Sequence, residues 1–304
     1  MTYKEIVARL EGAFPPVTTP FNRRGGIDEK GFRANMQRYA GSGLNGVVVA
    51  GSTGEAPYLT ESERLRLVEL AREVIQPPQL LIAGTGLEST AQTLRLSREA
   101  VARGADALLV LPPVYYKSLM KPEIIETHFR AVADGLKRPV LLYSIPQCSG
   151  LQMDVEMIGR LSRHPNIPGL KESSGNLDFV RAILGKVKKN FRLLMGAGSG
   201  FAAALEAGAA GGILVQCCFE PQLCMGLYGA FRHGDVAAVE RLQGLLRILV
   251  SEISIPYGIP GAKAALDLTG YAGGDPRPPL LPASPAMQRK IASALRRVRA
   301  KLEV

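Results

Sequence analysis

Eight short apolar runs, separated by segments of helical periodicity, constrain this 304-residue chain more than any other feature. They are GAFPPV (12–17), GVVVA (46–50), LLIAG (80–84), ALLVL (107–111), PVLLY (139–143), IPGLK (167–171), RLLMG (192–196) and GGILV (211–215). Several are apolar at consecutive positions and rich in Val, Ile and Leu. Strands buried on both faces have this pattern, and parallel sheets bury both faces. The intervening segments read as helices. TESERLRLVELAREVI (60–75) opens with Thr60 and Glu63, the spacing of a capping box, and sets Leu65, Val68 and Ala71 on one stripe. The segments 88–104 and 121–135 end in Gly104 and Gly135, and 154–164 stops before Pro165.

Eight strand–helix repeats predict an α/β chain folded as a (β/α)₈ TIM barrel. An open doubly wound sheet is the competing architecture. It wants a glycine-rich turn after its first strand, where this chain has Thr18-Thr19-Pro20. Beyond residue 222 only helical patterns remain, at 227–253, 261–270 and the chain end, with Pro276, Pro278, Pro279 and Pro282 stiffening the last connection. The expected organisation is a barrel over 1–225 that carries the active site, followed by a C-terminal helical domain over 226–304.

Composition narrows the function classes. There are 37 basic and 27 acidic side chains, net +10, but the charge is scattered except along the tail from Arg289 to Lys301. There the basic residues alternate with Ile291, Leu295 and Val298 as the wet face of a helix, so nucleic acid is not an expected partner. Four cysteines form no C-x-x-C, and Cys217 and Cys218 would point to opposite faces of a strand. His128, His164 and His233 are far apart, so no metal is expected. No apolar run is long enough for a membrane span, and the first residues lack the pattern of a secretory signal. The expected setting is the reducing cytoplasm, away from membranes.

A barrel builds its site at the C-terminal ends of its strands. Those ends carry Thr18 and Thr19, then Ser52, Thr53 and Glu55, Thr85, Tyr115 and Tyr116, Tyr143, Lys171, Gly196 and Ile213. Lys171 would close an apolar strand and point into the mouth. Taken alone it reads as a snorkelling lysine, but a desolvated lysine can also attack a carbonyl as the neutral amine. Its neighbours favour the second reading. Tyr143 supplies a hydroxyl that both donates and accepts. GSTGE (51–55) supplies N–H groups and hydroxyls for an anion, although a plain tight turn would look the same. The glycines of 196–200 would suit a phosphate cradle, but turning the chain also requires small residues.

The ordered series TTPF (18–21), GSTGE (51–55), PVYY (113–116), YSIP (143–146) and GLKESSG (169–175) resembles the dihydrodipicolinate synthase and N-acetylneuraminate lyase superfamily of class I aldolases. The resemblance implies a lyase that forms a Schiff base with pyruvate or a related 2-keto acid through Lys171, with no separate cofactor. It also implies that Tyr143 shuttles protons with Thr53 and that Ser52, Thr53 and Gly54 hold the substrate carboxylate. Ser173, in the K-x-[ST] pattern, and Ile213 would face the substrate. Tyr115, with Tyr116 as the alternative, would relay protons across a dimer interface in a homotetramer built from dimers. The partner substrate would be an aldehyde. Synthases carry an arginine where Cys148 stands, and Ser144 replaces a more usual asparagine. These departures, with the stretches YSIPQCSGL and SRHPNIPGLKES, favour a 4-hydroxy-2-oxoglutarate aldolase. The synthase that condenses pyruvate with aspartate semialdehyde is the alternative, and an inactive keto-acid sensor on the same fold is a third expectation.

Overall fold

The computed structural model describes residues 1–302. Its strands are β1 (Gly12–Phe14), β2 (Gly46–Val49), β3 (Leu80–Gly84), β4 (Ala107–Val110), β5 (Val140–Ser144), β6 (Gly169–Glu172), β7 (Arg192–Met195) and β8 (Gly211–Ile213). All pair in parallel, in the order β1-β8-β7-β6-β5-β4-β3-β2. The ring closes between β1 and β2 beyond the end of β1, where Pro16 bridges Val48 and Val17 N donates to Val48 O at 2.9 Å. Pro15 and Pro16 have no N–H to give, so this seam is the sparsest. Asn45 reinforces it, its side-chain oxygen accepting from Ala13 N at 3.1 Å. The expected eight-stranded barrel is thus the observed fold.

Helices α1 (Tyr3–Ala8), α2 (Glu29–Ala40), α3 (Glu61–Arg72), α4 (Thr90–Ala102), α5 (Pro122–Asp134), α6 (Pro146–Ser149), α7 (Val155–Leu161), α8 (Leu177–Leu184) and α9 (Phe201–Glu206) accompany the strands. The capping box of α3 forms as the sequence predicts, with Thr60 accepting from Glu63 N and Glu63 accepting from Thr60 N. The larger apolar cluster lies between strands and helices, and includes Leu81, Leu108, Leu142 and Leu170. A second fills the barrel axis with Phe14, Val48, Ile82, Leu109, Leu141 and Leu194, and Ile6 and Leu10 close it from the N-terminal side. The barrel axis is therefore filled below, and its largest opening among the described residues lies at the C-terminal mouth.

Four helices follow: α10 (Pro221–His233), α11 (Val236–Leu249), α12 (Ile255–Leu268) and α13 (Pro285–Leu302). The single helical pattern expected over 227–253 is divided, because Gly234 takes φ 73° and Asp235 starts a new helix by accepting from Ala238 N. The position 225/226 falls within α10, which packs on α9 and β1. A π-helical stretch, Val250–Ser254, joins α11 to α12, and α12 kinks at Gly258. On α13 the buried face is Ile291, Ala294, Leu295 and Val298, and the basic side chains face outward. Among the described residues no helix is long and apolar enough to cross a membrane.

Candidate active site

The register of the barrel brings the central pair together. Tyr143 on β5 lies opposite Lys171 on β6. Both side chains point inward, and Lys171 is only 4% exposed. Lys171 Nζ donates to the Tyr143 hydroxyl at 3.1 Å and lies 4.3 Å from the centre of its ring. The Tyr143 hydroxyl in turn lies 3.4 Å from Ser52 Oγ, a long hydrogen bond. Lysine, tyrosine and serine from three different strand ends therefore form one chain of polar contacts at the barrel mouth.

The GSTGE turn sits beside this chain under backbone strain. Ala50, just before it, and Glu55, its last residue, take φ 51° and 61°, a region that non-glycine residues hold only when their surroundings over-determine it. The turn is closed by Gly54 N on Gly51 O at 3.0 Å and Glu55 N on Ser52 O at 3.1 Å. Among the described residues no backbone carbonyl accepts from Ser52 N or Thr53 N. Both residues border the cavity. Gly54 lies behind them, its carbonyl accepting from Thr19 Oγ1 at 2.7 Å.

The cavity measures about 740 Å³. Its walls include Ser52, Thr53, Tyr143, Lys171, Ser173, Cys148 and Ile213 from the expected set. The Ser173 hydroxyl is buried and has no hydrogen-bond partner. A methyl group on Gly196 would meet Ser173 Oγ at 1.9 Å, so only glycine leaves room for Ser173 at that strand end. Cys148, on α6, opens to solvent. Crowding around its thiol nonetheless raises its pKa, with Lys171 opposing, so it stays a neutral group.

Other expected residues are placed elsewhere. Tyr115 and Tyr116 stack edge to face on the surface, Tyr115 77% exposed, and neither borders the cavity of its own chain. Thr85 is turned toward α4, where Ser97 Oγ donates to it at 2.8 Å. The glycine loop after β7 is not an open phosphate cradle. Gln243 of α11 fills it, donating to Gly198 O at 3.0 Å and accepting from Ala202 N at 2.8 Å. No cluster of three or more metal-ligating side chains occurs among the described residues.

Sequence reasoning missed seven contributors. Ser254, Gly258, Ile259 and Ala262, from the π-helical stretch and α12, form one wall of the cavity. Gln147 borders it and donates to Ser173 O at 2.8 Å. Glu88 accepts from Val114 N and Tyr115 N, both at 2.9 Å, and so fixes the tyrosine loop. Arg64, the one wall cation besides Lys171 among the described residues, donates to Gly86 O at 3.2 Å and Ala56 O at 2.7 Å. The GSTGE spacing signals the turn, but nothing local in the sequence signals these distant partners.

Comparison with known proteins shows the family to which this fold belongs. The model of the dihydrodipicolinate synthetase family matches residues 9–298. A 4-hydroxy-tetrahydrodipicolinate synthase of Agrobacterium fabrum is 37% identical over 290 residues, covering 94% of this chain and 98% of the relative. Among solved structures, the 4-hydroxy-tetrahydrodipicolinate synthase of Methylacidiphilum fumariolicum superposes with a TM-score of 0.89 at 30% identity, covering 96% of this chain and 97% of that one. An E. coli prophage protein of the dihydrodipicolinic acid synthase family, solved with pyruvate, superposes with a TM-score of 0.90 at 26% identity, covering 95% and 98%.

Proposed function

The chain belongs to the dihydrodipicolinate synthetase family of class I aldolases and lyases, and from that premise we propose that it joins pyruvate to aspartate semialdehyde, or a like aldehyde, through a Schiff base on Lys171. The observation that carries this reading is the buried Lys171–Tyr143 contact of 3.1 Å at the barrel mouth. The Lys171 amine attacks C2 of pyruvate, the carbonyl oxygen leaves as water, and an iminium remains. Loss of a methyl proton gives an enamine, whose carbon attacks the aldehyde. Hydrolysis of the new iminium then frees the product and the lysine. Tyr143 carries protons between these steps, with Ser52 next in line and Thr53 beside it on the cavity wall. The free N–H groups of Ser52 and Thr53 suit the pyruvate carboxylate. Tyr115 completes the proton path only if a neighbouring subunit supplies it, which accords with its exposure and with a homo-oligomer.

The names of the relatives support the synthase over the 4-hydroxy-2-oxoglutarate aldolase favoured by the sequence alone. One observation keeps the aldolase as a second reading. Cys148 supplies no positive charge at the position where synthases carry an arginine, and the nearest wall guanidinium, Arg64, spends two of its nitrogens on Gly86 O and Ala56 O. Treatment with pyruvate and borohydride is expected to place a reduced three-carbon adduct on Lys171 and nowhere in Lys171→Ala. A folded protein that takes up none refutes the Schiff-base reading. Specificity constants for aspartate semialdehyde condensation and 4-hydroxy-2-oxoglutarate cleavage then decide the partner.

A further inference from the structure

Lys263, on α12, is the only lysine besides Lys171 that is buried among the described residues. Its ammonium lies 2.7 Å from Glu55 Oε1, in an ion pair that is 1% exposed on one side and 0% on the other. It also donates to Thr19 O at 2.8 Å and Asp275 O at 2.9 Å, and it sits 4.5 Å above the Phe21 ring. The second Glu55 oxygen accepts from Arg277 N at 2.8 Å. Glu55 is the last residue of the GSTGE turn, and Thr19 holds the same turn through Gly54 O. The helical end thus grips the turn at both Glu55 and Thr19.

An ion pair this deeply buried is seldom a net gain over two well-packed apolar residues, whereas breaking one side of it is costly. Burial pulls the Lys263 pKa down and the Glu55 carboxylate opposes that shift. The ion pair does, however, fix a specific geometry. Glu55 is held at φ 61°, and its own N–H closes the turn onto Ser52 O at 3.1 Å. Lys263 also follows Ala262, which borders the cavity.

We propose that Lys263 is a positioning residue for pyruvate: through Glu55 it holds the Ser52–Thr53 turn, from outside the barrel, in the conformation that receives the substrate carboxylate. This rests on the reading of Ser52 and Thr53 as the carboxylate site. Lys263 touches no reacting atom, so its loss acts on pyruvate binding more than on chemistry.

The test is borohydride trapping as a function of pyruvate concentration, with steady-state kinetics, on the full chain and on Lys263→Met. In the variant the half-saturating pyruvate concentration is expected to rise by about tenfold or more, the scale of effect of a sub-ångström to ångström displacement at a site. Trapping at saturating pyruvate still reaches Lys171, and kcat falls less than KM rises. A lower melting temperature with half-saturation unchanged would mean that the pair is merely structural and would overturn the proposal. Wild-type protein that forms no adduct would instead remove the function reading itself, and the proposal with it. If Lys263→Met does not fold, Glu55→Gln carries the same test. It keeps the size and hydrogen-bonding atoms of the side chain, and it too must raise half-saturation.

Discussion

Replacing Tyr143 by phenylalanine tests the proposed chemistry most directly, because it deletes one oxygen and little else. The ring is buried inside the barrel, and phenylalanine fills the same space. The lost hydroxyl accepts from Lys171 Nζ at 3.1 Å and lies 3.4 Å from Ser52 Oγ. The second contact is too long to contribute much, so the stability change is that of leaving the buried Lys171 amine without its acceptor, roughly 1–3 kcal/mol. Catalysis should suffer far more. A positioned proton shuttle is worth about 10²- to 10⁴-fold, or about 3–5 kcal/mol of barrier. Lys171 keeps its amine and its apolar surroundings, so the Schiff base should still form, only more slowly. The assay pairs turnover with borohydride trapping at saturating pyruvate. The expected result is a kcat lower by about two to four orders of magnitude, with the adduct still found on Lys171. A kcat within about tenfold of wild type would refute the assignment of Tyr143 as the shuttle. A variant that is inactive and also untrappable would show instead that Tyr143 acts by placing the lysine.

Three further outcomes follow from particular contacts. In Gly196→Ala the added methyl would sit 1.9 Å from Ser173 Oγ, so Ser173 must move; a stability loss of about 1–3 kcal/mol is expected, with reduced activity, and denaturant midpoints check it. Burial pushes the His128 pKa down to about 4, with Glu88 weakly opposing. The unfolded chain therefore binds the extra proton first, so stability falls as pH drops from about 6.5 toward 4, by up to about 3 kcal/mol, and the fall is complete below that. His128→Gln should flatten this acid slope, and an unchanged profile of melting temperature against pH would refute it. Cys148→Arg gives the acceptor end a fixed charge and should raise the preference for aspartate semialdehyde over a neutral aldehyde by about 10- to 100-fold, the value of a charge-assisted hydrogen bond of about 1.5–3 kcal/mol. Relative specificity constants that do not move would show that Cys148 faces no acceptor.

The sequence by itself determined the eight strands, most helix ends and the turn at 51–55, because these depend on near neighbours: runs of branched apolar residues, the Thr60–Glu63 cap, and glycines where the chain must turn. It also pointed to Lys171 and Tyr143, since inward positions at strand ends are countable once a barrel is assumed. Only the tertiary structure decided the rest. Register, not spacing, set Tyr143 beside Lys171. Gln243 reached back from α11 to fill the loop after β7 that would otherwise suit phosphate. The kink at Gly258 swung α12 over the mouth, making residues from the chain's helical end into a wall of the cavity. The ion pair of Glu55 with Lys263 joins segments that share no local signal. The exposure of Tyr115 left it outside the cavity of its own chain. Such contacts depend on which surfaces meet after the helices pack, and each is chosen by shape and by the need to pair every buried charge, quantities that no local window of residues contains.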